Sequence, residues 1–502
     1  MLLVGLAGLL LSCKTQIKKN PPNIILFLVD DLGWQDTSVP FYDSITDYNR
    51  TYRTPHMERL AMEGVKYTNA YASHVCSPSR ISIMTGMNAA RHRVTNWTLE
   101  RDSLQPMEIN HPELVFPQWN TNGWNPDSIP FSVYADPLPS LLKTRDYRTI
   151  HCGKAHFGAL GTPGENPLNL GFDVNIAGHA AGAPGSYYGT TNFSNGRPSP
   201  NHWDVPGLQA YHGQDINLTE VLTLESVKAM DEALALKKPF FLYLAHYGVH
   251  TPIQADYRFY NQYLEMGLDS IEAKYASMVE SIDKSLGDIM AYLDVNNLRD
   301  NTMILFMSDN GGLSAVARGG TKHQHNHPLK SGKGSMYEGG IRVPMLASIP
   351  GSNNIGKTNN DNIIVEDFFT TILSFAGVDI NMASQQVDGI DFSLTHNGQQ
   401  KQTVERPLIF HYPNDWGLSG PGIGAASAII RGDWKLIYFH LTGEKELYNL
   451  SVDIGEKNNL IEKNIIKKKE LESLLATTLR DRAAQWPILK SSMKKVPMPD
   501  DD

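Results

Sequence analysis

Residues 23–31 read "NIILFLVDD". The apolar run from Ile24 to Val29 is unbroken and ends in two acids. A strand with one face in water would alternate polar and apolar residues. This one does not, which fits a parallel strand covered on both faces. Residues 302–310, "TMILFMSDN", repeat the pattern and lead into Gly311-Gly312, and residues 239–245, "PFFLYLA", supply a third run. Helical patterns lie between these runs. In "TPHMERLAMEG", Thr54 is a suitable N-cap, Pro55 takes the first helical position and Gly64 is the stop. Tyr275, Met278, Val279, Ile282, Leu286, Ile289 and Leu293 share one helical face. Glu366 to Ala376 reads as an apolar helix ended by Gly377.

Strands alternating with helices predict an α/β fold with a mostly parallel central sheet flanked by helices. Such sheets bind ligands at the carboxyl ends of their strands, where Asp30, Asp31 and Asp309 fall. After about residue 400 the texture changes. "PLIFHY", "ASAIIRGDWKLIYF" and "KELYNL" read as short strands, with Gly432-Asp433 as a hairpin turn and a helix over about 463–482. A small C-terminal subdomain with an antiparallel sheet and a helix is expected there. The expected limits are 1–19 for a leader and tether, 20–400 for a catalytic domain and 401–490 for the C-terminal subdomain. Residues 97–135 and 178–215, rich in Asn, Gly, Pro and Trp, read as long loops over the sheet, where function concentrates.

Of the 502 residues, 41% are hydrophobic and 19% charged, with a net charge of −9, an ordinary balance for a soluble globular chain. Nothing global points to nucleic acid, so an anionic substrate needs a local basic cluster. The start, "MLLVGLAGLLLSC", has an apolar run too short to span a bilayer. It reads as a signal peptide, and Leu10-Leu11-Ser12-Cys13 resembles a bacterial lipobox with Cys13 as the lipid acceptor. A cleaved signal without lipid and a plain buried segment are the alternatives. A lipid-anchored protein of the bacterial envelope, facing the periplasm or the exterior, is expected, with the anchor its sole membrane contact. Cys13 is one of three cysteines. Cys76 and Cys152 could form at most one disulfide.

Asp30, Asp31, Asp309 and Asn310 offer oxygen ligands from two strand ends, a set suited to Ca²⁺ or Mg²⁺ and not to zinc. Either pair alone would pass for solvated strand-end acids. Two pairs on similar strands point to a cation. Lys154 and His156 share one side of an extended segment, His250 lies in a turn beyond a core strand, and Lys333 sits in the glycine-rich loop "KSGKGSMYEGGIR". From Asn310 to Tyr337 there is no acid, yet the segment holds Arg318, Lys322, His323, His325, His327, Lys330 and Lys333. Arg318, His323 and His325 are read as a rim gripping an anionic substrate; a solvated loop and histidines that bind an adventitious metal are the alternatives.

Cys76 lies in "HVCSPSRISIMTG", residues 74–86. Cys76-x-Pro78-x-Arg80 followed by Thr85-Gly86 resembles the signature of the formylglycine-dependent sulfatases of the alkaline-phosphatase-like superfamily. "DDLGW" at 30–34, "GKAHFG" at 153–158, "VHTP" at 249–252, "SDNGG" at 308–312 and "GKGSMYEGGIRVP" at 332–344 follow that family in order. The resemblance implies that a formylglycine-generating maturation enzyme converts Cys76 to Cα-formylglycine, whose hydrate is the nucleophile. It implies Ca²⁺, ahead of Mg²⁺, on Asp30, Asp31, Asp309 and Asn310, in contact with residue 76. Arg80 would steady the diol, Lys154 and Lys333 would neutralise sulfate, His250 would protonate the leaving alcohol and His156 would take the proton that releases sulfate. The expected substrate is a sulfated glycan such as ulvan, carrageenan or a glycosaminoglycan fragment. A phosphodiesterase or phosphonate hydrolase of the same superfamily and a non-catalytic glycan-binding lipoprotein are the alternatives. Cys152 is left as a free, inert strand residue.

Overall fold

The structure, a computed structural model, describes residues 21–104, 106–118, 131–132, 134–198, 200–315, 318–393 and 406–501. The expected lipid site at Cys13 and the boundary near residue 400 lie outside these residues. Among the described residues no helix is long and apolar enough to cross a membrane.

The three apolar runs form the centre of an eight-stranded sheet. Asn23–Val29 lies between Phe240–Ala245 and Thr302–Ser308, parallel to both. Arg148–Gly153 and Val174–Ile176 extend the sheet beyond Phe240–Ala245. Met345–Ser348, Val65–Tyr67 and Lys357–Asn359 extend it on the other side, and only Met345–Ser348 runs against the rest. The runs are continuous because both faces are covered. Ile24, Leu26 and Leu28 point into one apolar layer, and Ile25, Phe27 and Val29 into the other. Helices Cys76–Thr85 and Asp367–Ala376 pack on the first face, and Leu218–Ala235 and Ser270–Val295 on the second. The helical face read from Tyr275 to Leu293 is wholly buried.

Register brings the strand ends level. Val29 pairs with Ser308, Leu28 with Ala245, and Ala245 with Gly153. Asp30, Asp309, His246 and Lys154 therefore begin their loops side by side along one edge.

One cap differs from expectation. Thr54 precedes helix Pro55–Glu63 but makes no side-chain cap. Its hydroxyl accepts from the Ser38 amide at 2.8 Å. Asp283, from the long helix, instead accepts from the His56 and Met57 amides at 3.1 and 2.7 Å, so the helix start is satisfied across the fold.

The C-terminal sheet orders Leu408–Tyr412, Ala426–Arg431, Trp434–Phe439 and Lys445–Asn449 antiparallel, and helix Ile465–Asp481 packs on it. Gly432 turns the middle hairpin at φ +60. The buried Lys435 ammonium bridges Glu338 and Glu456, each at 2.8 Å, tying this sheet to the loop that carries Lys333.

Candidate active site

Four adjacent strand ends and one helix start build the site. Asp30 and Asp31 follow the central strand. Asp31 takes the left-handed conformation, φ 63, rare for a residue with a side chain. Neighbours hold it there. Its amide donates to Asp309 Oδ1 at 3.3 Å, and the Leu32 amide donates to Ser308 Oγ at 2.9 Å. Asn310 Nδ2 donates to Asp31 Oδ1 at 2.7 Å. The two acidic strand ends are thus bound to each other as well as adjacent.

Cys76 is the first residue of its helix, so its side chain lies where free amides and the helix dipole favour an anion. Gly86 ends that helix at φ +68. Cys76 Sγ donates to Asp30 Oδ1 at 3.5 Å and accepts from Lys333 Nζ at 3.3 Å. Lys333 also ion-pairs with Asp31 Oδ1 at 2.6 Å, and Lys154 with Asp30 Oδ2. His250 Nε2 stands 3.7 Å from Asp31 Oδ2. His156 Nε2 is 3.0 Å from the Thr98 carbonyl. Cys76 and Cys152 are both free and buried.

These groups are buried, His250 alone being partly exposed, so their charges act strongly on one another. Burial and the neighbouring Asp309 push the Asp30 carboxyl up to about 8, against the pull of Lys154. Burial acts likewise on Asp31, but Lys333 and His250 outweigh it and hold that carboxyl well below the usual range. Burial pushes the Cys76 thiol up to about 12, opposed by Lys154 and Lys333. Burial and then Lys333 hold His250 down to about 3. Burial, then Lys154 and Arg80, hold His156 well below its ordinary value.

One ligand atom each of Asp30, Asp31, Cys76 and His250 lies within 4.8 Å of the others. Asp31 Oδ2 and Asn310 Oδ1 are buried without a hydrogen-bond partner. Unpaired buried oxygens on a carboxylate-rich floor are what a hard cation satisfies.

Arg80 is buried at the site and ties its strand ends together. Its Nε and Nη2 bind Asp309 Oδ2 at 2.9 and 2.7 Å, and Nη1 donates to the Lys154 carbonyl at 2.8 Å. It braces two strand ends and lies within electrostatic reach of residue 76.

The basic rim also needs correction. Arg318 is buried, bridging Asp36 at 2.9 Å and Glu272 at 2.7 Å, with its guanidinium 3.8 Å above the Tyr275 ring. His325 is buried and bonds the Gly319 carbonyl through Nε2. His323 lies against Gly420. None of the three lines the cavity over Cys76. A guanidinium with two acids within reach folds inward, because the ion pairs and the ring repay its desolvation. Arg318→Ala is therefore expected to cost about 3–5 kcal/mol in denaturant unfolding, the scale for stranding a buried carboxylate. A rim arginine would change stability little.

That cavity measures about 270 Å³. Cys76, His156, His250 and Lys333 form its reactive wall, and Trp97, Trp203 and Trp416 face them. Trp97 and Trp203 come from the two loops expected to overlie the sheet. Trp416 was missed. It follows the first C-terminal strand, and its one available signal was an aromatic residue placed in a turn instead of an element.

The sulfatase family profile matches residues 22–378. This chain belongs to the sulfatase family. A profile for the C-terminal region of N-sulphoglucosamine sulphohydrolase matches residues 331–485. N-acetylgalactosamine-6-sulfatase of Canis lupus familiaris is 30% identical over 454 residues, 88% of this chain and 76% of that protein. A sulfatase of Formosa agariphila is 27% identical over 566 residues, 99% and 97% of the two chains. The crystal structure of Ps i-CgsB superposes with a TM-score of 0.74 at 27% identity, covering 92% of this chain and 94% of that one. The same protein has been solved with k-i-k-neocarrahexaose. This sulfatase is a sulfuric ester hydrolase on the alkaline-phosphatase-like α/β fold.

Proposed function

We propose that this sulfatase removes sulfate from a sulfated carbohydrate, with Cys76 converted to formylglycine and Ca²⁺ at Asp30, Asp31, Asp309 and Asn310. The observation that carries the reading is the convergence on Cys76 of Lys333, Lys154 and the acidic strand ends, at the N-terminus of a helix. The unpartnered oxygens of Asp31 and Asn310 fit the donor chemistry of Ca²⁺. The ion would draw charge from a sulfate oxygen, and the hydrated aldehyde would supply one hydroxyl to attack sulfur and a second whose proton loss expels sulfate.

The chain's own residues account for the rest. Lys333 and Lys154 place two ammonium groups against the acidic floor, where they balance charge moving onto the leaving oxygen. His250 lines the cavity within reach of Asp31; its imidazole rests neutral, and a bound sulfate ester would raise it so that it can hand a proton to the leaving alcohol. His156 Nδ1 has no partner, which leaves it free to take the proton that releases sulfate. Arg80 positions Asp309 and the Lys154 strand end. The overall reaction consumes one water and yields an alcohol and sulfate. Sulfated galactans and glycosaminoglycans are the candidate substrates, given the relatives named above. Anchoring through lipidated Cys13 in a bacterial envelope completes the proposal, since polysaccharide fragments are met there.

Sulfate release from oligosaccharides of carrageenan, ulvan and glycosaminoglycans tests this directly. Prolonged chelation is expected to lower the rate at least a hundredfold, on the order of the several kcal/mol a Lewis acid contributes, and added Ca²⁺ should restore it. Release indifferent to chelation, or absent from every saccharide, would sink the reading.

A further inference from the structure

Three tryptophans from three loops meet over Cys76. Trp97 follows the signature helix, Trp203 lies in the 178–215 loop and Trp416 comes from the C-terminal part of the chain. Each is half-buried, with the remainder facing the cavity. Their backs are braced. Trp97 and Trp203 pack on Leu99, Ala180 and Ala181. Trp416 packs on the main core and lies over Gly334, where a Cβ would come within 2.2 Å of the ring. Gly334 has φ +85, so the turn after Lys333 needs glycine both for its backbone and for the indole above it. Rigid indoles supply contact area at low entropic cost.

The rest of the wall is small or apolar, with Val75, Gly182, Ala183 and Leu313 beside Thr251. Among the described residues, Lys333 is the sole lysine or arginine lining the cavity, and no carboxylate lines it. The volume, about 270 Å³, is at the low end for small-molecule sites and suits one sugar ring. A pyranose presents apolar C–H faces that stack on indoles. A second anion on that ring would lose its water against tryptophan with no cation to receive it.

We infer that the Trp97–Trp203–Trp416 box is a specificity site for a single sugar ring that carries one sulfate and no other charge, and that it discriminates against uronates and doubly sulfated sugars. The inference rests on the carbohydrate-sulfatase reading and narrows it.

The test measures kcat/KM for monosulfated galactose and N-acetylhexosamine saccharides against a sulfated uronate and N,6-O-disulfated glucosamine. The neutral rings are expected to be favoured by about tenfold or more, the scale of pocket discrimination. Trp203→Ala and Trp416→Ala should each raise KM for the neutral saccharide at least fivefold, and Trp→Phe at the same positions should recover much of the loss. Equal or better rates on the charged rings, with sulfate still released from neutral ones, would overturn the inference and leave the sulfatase reading standing. So would an unchanged KM in both alanine variants. Release from an aryl sulfate but from no saccharide would overturn both.

Discussion

Cys76→Ala is expected to abolish sulfate release, a fall on the order of 10⁵-fold, the scale of removing a covalent nucleophile. The side chain at 76 is the one that meets Lys333 at 3.3 Å and Asp30 at 3.5 Å while opening a helix. Alanine leaves no atom there to attack sulfur. Cys76→Ser separates two chemistries. A lone hydroxyl can accept the sulfuryl group once, but it has no second hydroxyl to drive release, so the ester stays. That variant should free about one equivalent of alcohol per chain and stop, a burst without turnover. Peptide mass spectrometry of the active enzyme should find the aldehyde at position 76. Full activity with an unmodified thiol there would overturn the mechanism.

Asp309→Ala is expected to lose activity and stability together. Oδ2 receives two nitrogens of Arg80, at 2.9 and 2.7 Å, and Oδ1 accepts from the Asp31 amide at 3.3 Å. Removing the carboxylate deletes one of the four proposed cation ligands. It also strips a buried guanidinium of its bonded acid and loosens the left-handed turn at Asp31. Activity should fall roughly 10³-fold, with about 3–5 kcal/mol lost in unfolding. Asp31→Asn, which is not bonded to Arg80, should lose comparable activity at a smaller cost in stability. Sulfate release, calcium content and denaturant unfolding read the three effects separately. Wild-type turnover in Asp309→Ala would remove the cation from the reaction.

The α/β class was legible because a strand buried on both faces must be apolar throughout, and Ile24–Val29 and Met303–Met307 meet that demand within a few residues. The acids closing those runs were legible as a site for the same reason, since a strand's end is marked where the apolar run stops. Helix Asp367–Ala376 and its Gly377 stop were legible from local periodicity and backbone chemistry. The cap of helix Pro55–Glu63 was not. Threonine is a good cap in isolation, but Asp283, more than two hundred residues away, reached the amides first.

The same division holds at the site. The order of the motifs, the cysteine and its companions, and the membership of the family are properties of contiguous residues, and the chain states them before it folds. Direction is not stated that way. Arg80 lies close to residue 76 in sequence, and the acid that pairs its charge, Asp309, is 229 positions away. Arg318 looks like a rim cation, yet Asp36, 282 positions away, draws it inside. A charged side chain carries no record of its partner, and in a low-dielectric interior the partner decides where it points. The tryptophan wall has the same origin. Trp97, Trp203 and Trp416 come to line one cavity only when three loops close over the parallel strand ends, because the residues that support them, Leu99, Ala180 and Ala181 for two and Gly334 for the third, lie in separate segments of the chain.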